Sequence, residues 1–233
     1  AIARLLDGIR ARLTFVPEAE ITLEANPGAV DAQHFAGYRR AGVNRLSIGV
    51  QSFRAAQLQK LGRVHDVADI ERAIDTARAA GFENFNLDLM HGLPGDLPDD
   101  ALRDLERALE YAPPHLSWYQ LTLEEGTAFG RRPPPLPPHD RIAAEFERGC
   151  ALLEGAGFQR YEVSAFAQPG REARHNVNYW AFGDYLGIGA GAHGKLTTAD
   201  CLLRTEKRRQ PAAYMKAALA GKAAGSSQRV ESR

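Results

Sequence analysis

Three apolar runs each finish in a polar side chain: Ile21-Thr22-Leu23-Glu24, Leu46-Ser47-Ile48-Gly49-Val50-Gln51 and Phe85-Asn86-Leu87-Asp88. Segments with helical spacing separate them. Strands alternating with helices predict a parallel sheet with short, same-handed crossovers. Polar groups repeated at the strand ends narrow that to a barrel, whose site gathers at the carboxyl ends of its strands. Such a site is assembled from residues far apart in the chain.

The rest of the pattern extends the series. Strands are expected at about 20–25, 44–50, 84–90, 115–122 and 159–165, with a Gly-rich sixth at 185–192. Helices are expected at about 31–41, 55–61, 66–80, 98–111 and 139–156. In the third of these, Ile70, Ala73, Ile74, Ala77 and Ala80 keep helical spacing, and Gly81 follows as a left-handed cap. Pro113 and Pro114 end the fourth. Residues 124–138 form an irregular loop whose run from Pro133 to Pro138 reads as a stiff spacer on the surface. No internal sequence repeat is visible.

With 233 residues, 44% of them hydrophobic, the chain can bury one substantial core. Lysine plus arginine (29) equals aspartate plus glutamate (29), so the basic excess that nucleic acid would require is missing. No apolar stretch is long enough for an integral membrane segment, and a cytoplasmic location is expected. Cys150 and Cys201 are too few for a disulfide framework or a thiolate metal site. Both ends read as cut: the chain opens inside a helical pattern, Ile2, Leu5, Leu6, Ile9 and Leu13, and residues 212–233 run from a helical stretch into Gly-Ser-Ser. A fragment is expected.

Candidate binding chemistry follows from residue type. Glu24 and Asp88 could each accept both hydroxyls of a ribose or bind an ammonium; the alternative is a carboxylate satisfied by loop N–H groups. Gln51 suits an amide, a carboxylate or an adenine edge, and Arg63 offers a planar fork for an amino-acid carboxylate. G-x-G-x-x-G occurs from Gly189 to Gly194, but no helical pattern follows it, so a dinucleotide fingerprint is rejected. Its glycines are expected to let a ligand lie against a strand backbone. In His175-Asn176-Val177-Asn178-Tyr179-Trp180, an imidazole and a phenol could ligate heme iron beside an aromatic wall; the bland alternative is a polar loop at the barrel mouth. Tyr119, Glu162 and Asp184 are weaker candidates for the same cavity.

Five ordered motifs then add up to a resemblance. They are Leu23 to Gly28, Asn44 to Phe53, Asn86 to Gly95, Tyr161 to Ala167, and His175 to Trp180. Together they resemble the HemW-type radical SAM proteins, heme chaperones often labelled oxygen-independent coproporphyrinogen III oxidase-like, over about residues 1–220. The resemblance implies an α/β fold, a partial parallel (β/α)6 radical SAM-type barrel truncated at its first strand. It implies a barrel domain over 1–200 and the start of a truncated carboxy-terminal region over 201–233. S-adenosylmethionine would be held by Glu24 (ribose), Gln51 and Arg63 (methionine moiety) and Asp88, with Thr122 and the His193 backbone near the adenosine. His175, Asn176 and Tyr179 would bind heme. The family's [4Fe–4S] cluster loop, C-x-x-x-C-x-x-C, is not in this sequence, so the cluster is expected only in the full-length protein. The implied function is heme binding and delivery to acceptor proteins, with membrane association only peripheral and through those acceptors. The alternative is the oxidase, which decarboxylates two propionates of a porphyrinogen.

Overall fold

The computed structural model describes residues 1–29, 32–221 and 227–231. The expected helix start at Asp31 and the Gly225-Ser226 stretch lie outside them. The chain divides into two compact units, residues 1–172 and 173–233. The division therefore falls ahead of the expected boundary at 200. The reason is topological: beyond residue 172 the strands form a separate antiparallel sheet.

The first unit follows the alternating pattern. Its elements are α1 (Ile2–Arg10), β1 (Thr22–Ala25), a 3-10 turn (Pro27–Ala29), α2 (Ala32–Ala41), β2 (Arg45–Gln51), α3 (Ala55–Lys60), α4 (Val67–Ala79), β3 (Phe85–His91), α5 (Asp100–Glu110), β4 (His115–Gln120), α6 (Ala128–Arg131), α7 (His139–Gly155), β5 (Gln159–Arg160) and β6 (Ala165–Ala167). The sheet order is β1-β2-β3-β4-β6-β5, and β1 to β4 pair in parallel. Because chain order equals spatial order from β1 to β4, right-handed crossovers put the helices that connect these four strands on one face of the sheet. That is the geometry of an open barrel.

Side-chain alternation separates the two faces. Leu46, Ile48 and Val50 on β2, Leu87 and Leu89 on β3, and Leu116 and Trp118 on β4 join Ile70 and Ile74 of α4, Leu105 of α5 and Leu153 of α7 in one buried cluster. The alternate positions carry Arg45 and Ser47, Asn86 and Asp88, and His115, Ser117 and Tyr119. Parallel strands usually run apolar on both faces, so this polar inner face is a departure that calls for a function. Local signals hold the frame. An Asp66–Asp69 capping box starts α4, and Gly81 ends it at φ +81°, with the Phe82 N–H donating to Ala77.

Two expectations need correction. The fifth strand is not continuous over 159–165. It splits into β5 and β6, and β6 runs antiparallel to both β4 and β5. Between them Glu162 Oε1 accepts from the Ser164 N–H at 3.0 Å. A side chain that bonds its own loop in this way competes with ladder formation. In the second unit, 185–192 is not a strand. Gly189 and Gly191 take φ of +112° and +74°, a region that breaks an extended ladder, and pairing begins only at His193 apart from a single Tyr185–Lys195 bridge.

The second unit contains α8 (Arg174–Trp180), β7 (His193–Thr197), β8 (Cys201–Glu206), α9 (Pro211–Leu219) and β9 (Ser227–Glu231), with an antiparallel sheet in the order β7-β8-β9. The G-x-G-x-x-G stretch runs directly into β7 rather than into a helix.

Candidate binding site

The polar inner face of the first unit is a connected network. Asn86 sits at its centre: its Nδ2 donates to Ser47 Oγ and to Asp88 Oδ1, both at 2.7 Å, while its Oδ1 accepts from Ser117 Oγ at 3.1 Å and lies 2.6 Å from His115 Nδ1. Ser47 Oγ in turn donates to Asp88 Oδ2 at 3.0 Å, and His115 Nε2 lies 2.7 Å from the Tyr161 hydroxyl. Burial pushes the Asp88 carboxyl above its ordinary range; bonds from Asn86, Ser47 and Ser117 pull the other way, and the Glu24 charge adds to the rise. Glu24 and Asp88 therefore share one electrostatic environment. Glu24 is exposed and stands opposite Ser47 in the β1–β2 register.

Gln51 closes β2 in an unusual backbone state. It is buried, yet takes φ +70°, the left-handed region that side chains avoid. Strain of this kind persists only where neighbours hold it. The following residues supply the hold: Ser52 Oγ and the Phe53 N–H donate to Asp104 on α5 at 2.7 and 2.9 Å, and Arg54 bridges Asp96, Asp100 and Asp104. The Gln51 amide oxygen accepts from the Tyr119 hydroxyl at 2.6 Å. Burial, with the Asp88 charge behind it, pushes that hydroxyl up to about 12, so it stays protonated and donates; the Arg63 guanidinium acts on it in the opposite sense. Gln51, Tyr119 and Arg63 thus gather toward the carboxyl ends of β2 and β4 with Asp88, which lies in the middle of β3 rather than at the strand end expected, because the ladder with β4 continues to His91.

Arg63 itself is exposed, just beyond α3, where Gly62 at φ +67° turns the chain and the Arg63 N–H donates to Leu58. Thr122, two residues past β4, lines a cavity of about 250 Å³ with Leu61, Thr127, Ala128 and Phe129. Donors at Gln51 and Arg63 with acceptors at Glu24 and Asp88 fit a ligand carrying both an anionic group and hydroxyls or an ammonium. A second cavity, of about 450 Å³, lies on the helix side of the sheet between β3, β4 and α7. Its wall includes His91, which packs against Trp118 and Phe146 at ring distances of 4.6 and 5.5 Å.

In the second unit, the segment expected as a heme ligand set is helical rather than a loop. His175 and Tyr179 are four residues apart on α8 and so share one face, with Asn176 beside them. His175 and Tyr179 are exposed and Asn176 is half-buried. Tyr179 meets Tyr185 edge-on at 4.7 Å, and Trp180, Phe182 and Ile188 are also exposed. His193 opens β7 and pairs with Glu206. Of the glycines expected to seat a ligand, Gly194 makes room for the chain itself, since a Cβ there would lie 2.6 Å from Thr205 Oγ1, whereas a Cβ at Gly189 would meet nothing within 4 Å. Asp184 is occupied structurally, accepting from Thr197 N–H and Oγ1 and pairing with Lys195.

Among the described residues no group of three or more His, Cys, Asp or Glu could hold a metal ion, and Cys150 and Cys201 are both free thiols. The residues present do not fit an iron–sulfur cluster. Tyr119 was legible in sequence only as a weak candidate, and Asn86, Ser47 and His115 not at all. The signal for them was the alternation His115, Ser117, Tyr119 against Leu116 and Trp118.

A profile of the Radical SAM superfamily matches residues 2–108. The chain is 56% identical over 216 residues to a protein named heme chaperone HemW from Escherichia coli K12, across 92% of this chain and 57% of that protein. To the protein of the same name from Haemophilus influenzae it is 50% identical over 218 residues, across 93% and 57%. Among solved structures it is similar to coproporphyrinogen III oxidase (HemN) from Escherichia coli, described as a radical SAM enzyme, with a TM-score of 0.81, 25% identity, and 98% of this chain and 56% of that one covered. The chain spans about 57% of the length of these curated relatives.

Proposed function

We propose, from its similarity to the Radical SAM superfamily profile and to the proteins named heme chaperone HemW, that this chain is the barrel portion of a heme chaperone of that superfamily. The observation that carries the reading is the shared face of His175 and Tyr179 on α8. An imidazole nitrogen and a phenol oxygen are both established kinds of heme-iron ligand, and the exposed aromatic residues around them suit a flat macrocycle. Asn176, half-buried beside them, would orient the bound heme. Heme-acceptor proteins are then the partners.

The strand-end site would hold S-adenosylmethionine. Gln51 and Arg63 would take its methionine moiety, Glu24 its ribose hydroxyls and Asp88 a further polar group, with Thr122 toward the adenosine. Bound together, S-adenosylmethionine and a [4Fe–4S] cluster would serve the longer protein as regulatory or structural cofactors. Among the described residues no set of His, Cys, Asp or Glu would hold the cluster. The work of these residues is to orient and to exclude water. Among the described residues no helix is long and apolar enough to cross a membrane, and the reading places the protein in the cytoplasm, reaching membranes only through its acceptors.

The competing reading, an oxygen-independent coproporphyrinogen III oxidase, draws on the HemN-like fold. It is weaker, since identity to that structure is 25% against 56% to the chaperone. An anaerobic assay of the full-length, cluster-reconstituted protein separates them. The chaperone binds heme and leaves porphyrinogen propionates intact. Release of carbon dioxide from two propionates, with S-adenosylmethionine consumed, would defeat it.

A further inference from the structure

Gln51 could, by residue type, serve an amide, a carboxylate or an adenine edge, as a donor or as an acceptor. Three observations narrow that choice. The Tyr119 hydroxyl spends its one hydrogen on the Gln51 amide oxygen at 2.6 Å. The amide nitrogen turns toward Gly49, where a Cβ would lie 3.0 Å from Gln51 Nε2 and 3.5 Å from Asn26 Oδ1, so the absence of a side chain there leaves the amide its room. The backbone of Gln51 is held at φ +70° and its side chain is buried, so the amide is not free to swing.

We infer that Tyr119 is a positioning residue: by binding the Gln51 amide oxygen it turns the amide nitrogen toward the ligand, making Gln51 a donor to an amino-acid carboxylate. The inference rests on the reading of the strand ends as an S-adenosylmethionine site. Two further features support a carboxylate over the other acceptors. Asp88 and, less strongly, Arg63 both act electrostatically on the Tyr119 hydroxyl, so a cation suited to a carboxylate and an anion suited to an ammonium both stand near the Gln51 amide. The Asp88 carboxyl, on the neighbouring strand, disfavours a second anion beside itself and suits the ammonium instead. Tyr119 stays protonated through the whole working pH range, because burial pushes it up to about 12. The amide orientation it imposes is therefore not a pH switch.

The test uses the full-length, cluster-reconstituted protein under anaerobic conditions. Calorimetric titration compares S-adenosylmethionine with its decarboxylated analogue, which lacks only the carboxylate. Tyr119→Phe should weaken S-adenosylmethionine by about fivefold, the weight of one ordinary hydrogen bond, and leave the analogue unchanged. Gln51→Glu should weaken S-adenosylmethionine further and shift preference toward the analogue, and Tyr119→Phe added to Gln51→Ala should weaken nothing beyond Gln51→Ala alone. If Gln51→Ala and Gln51→Glu both bind S-adenosylmethionine as the parent does, the site reading itself falls. If the Gln51 variants weaken binding but Tyr119→Phe does not, or weakens both ligands alike, the site stands and the positioning role is overturned.

Discussion

His91 makes the fold acid-sensitive in a defined window. It lies on the helix side of β3, buried between the rings of Trp118 and Phe146, and its Nδ1 has no partner within the protein. Burial alone lowers its pKa from 6.5 to about 4. Above the unfolded value the imidazole is neutral in both states and contributes nothing to pH dependence. Below it the unfolded chain takes up a proton that the folded chain refuses, so stability falls with pH until the folded value is passed. The shift amounts to about 3 kcal/mol in full, of which about 2 kcal/mol is lost by about pH 5. With a urea slope of roughly 2 kcal/mol per molar, that is a fall of about 1 M in the unfolding midpoint between about pH 7 and pH 5. His91→Phe keeps a ring in the same slot and cannot titrate. Urea unfolding followed by circular dichroism should show the variant losing about 1 M less than the parent over that interval. Equal losses in the two proteins would refute the argument, because they would place the acid sensitivity elsewhere.

Other consequences are local. Asp88 has a raised carboxyl pKa, chiefly through burial, so its contribution to stability is full below the ordinary carboxylate value and lost as pH rises through the folded one. Asp88→Asn should therefore melt higher than the parent at neutral pH, with the gain vanishing in acid and S-adenosylmethionine affinity reduced; a gain that persists at low pH would contradict the sign. On α7, Gly149 abuts Trp118, and a Cβ there would lie 2.0 Å from its ring. Despite the helix preference of alanine, Gly149→Ala should destabilise by about 2 kcal/mol in denaturant titration through overpacking, and a stabilised variant would show that the α7–β4 contact yields.

Much of the first unit was legible because two periodicities coincide there. The helical spacing of Ile70, Ala73, Ile74 and Ala77 and the alternation of Leu46, Ile48 and Val50 describe two sides of one core. A polar residue closing an apolar run singled out Gln51 and Asp88; Gln51 does end β2, whereas Asp88 lies mid-way along β3, and both come into one neighbourhood with Tyr119. What escaped depended on contacts that no single segment displays. Asn86 looks like an ordinary strand polar residue until Ser47, Asp88 and His115 surround it. The strand over 159–165 was interrupted by a bond between Glu162 and its own loop, which hydrophobic pattern does not encode. Helix α8 was missed for a different reason: Arg174–Trp180 has no apolar stripe, its residues being largely exposed. The Gly-rich stretch read as extended because glycine is compatible with a strand, but its positive φ values place it in a loop.

Heme binding on the face of α8 that bears His175 and Tyr179 is the property on which the proposed function stands or falls. Its most direct measurement is an optical titration of the full-length protein with heme, run beside His175→Ala and Tyr179→Phe, with thermal melts to verify folding. A saturable Soret-band shift is expected, with binding that weakens by at least about tenfold, roughly 1.4 kcal/mol, in His175→Ala, and an altered ligand-field spectrum in Tyr179→Phe. Tight heme binding with an unchanged spectrum in both folded variants would contradict it.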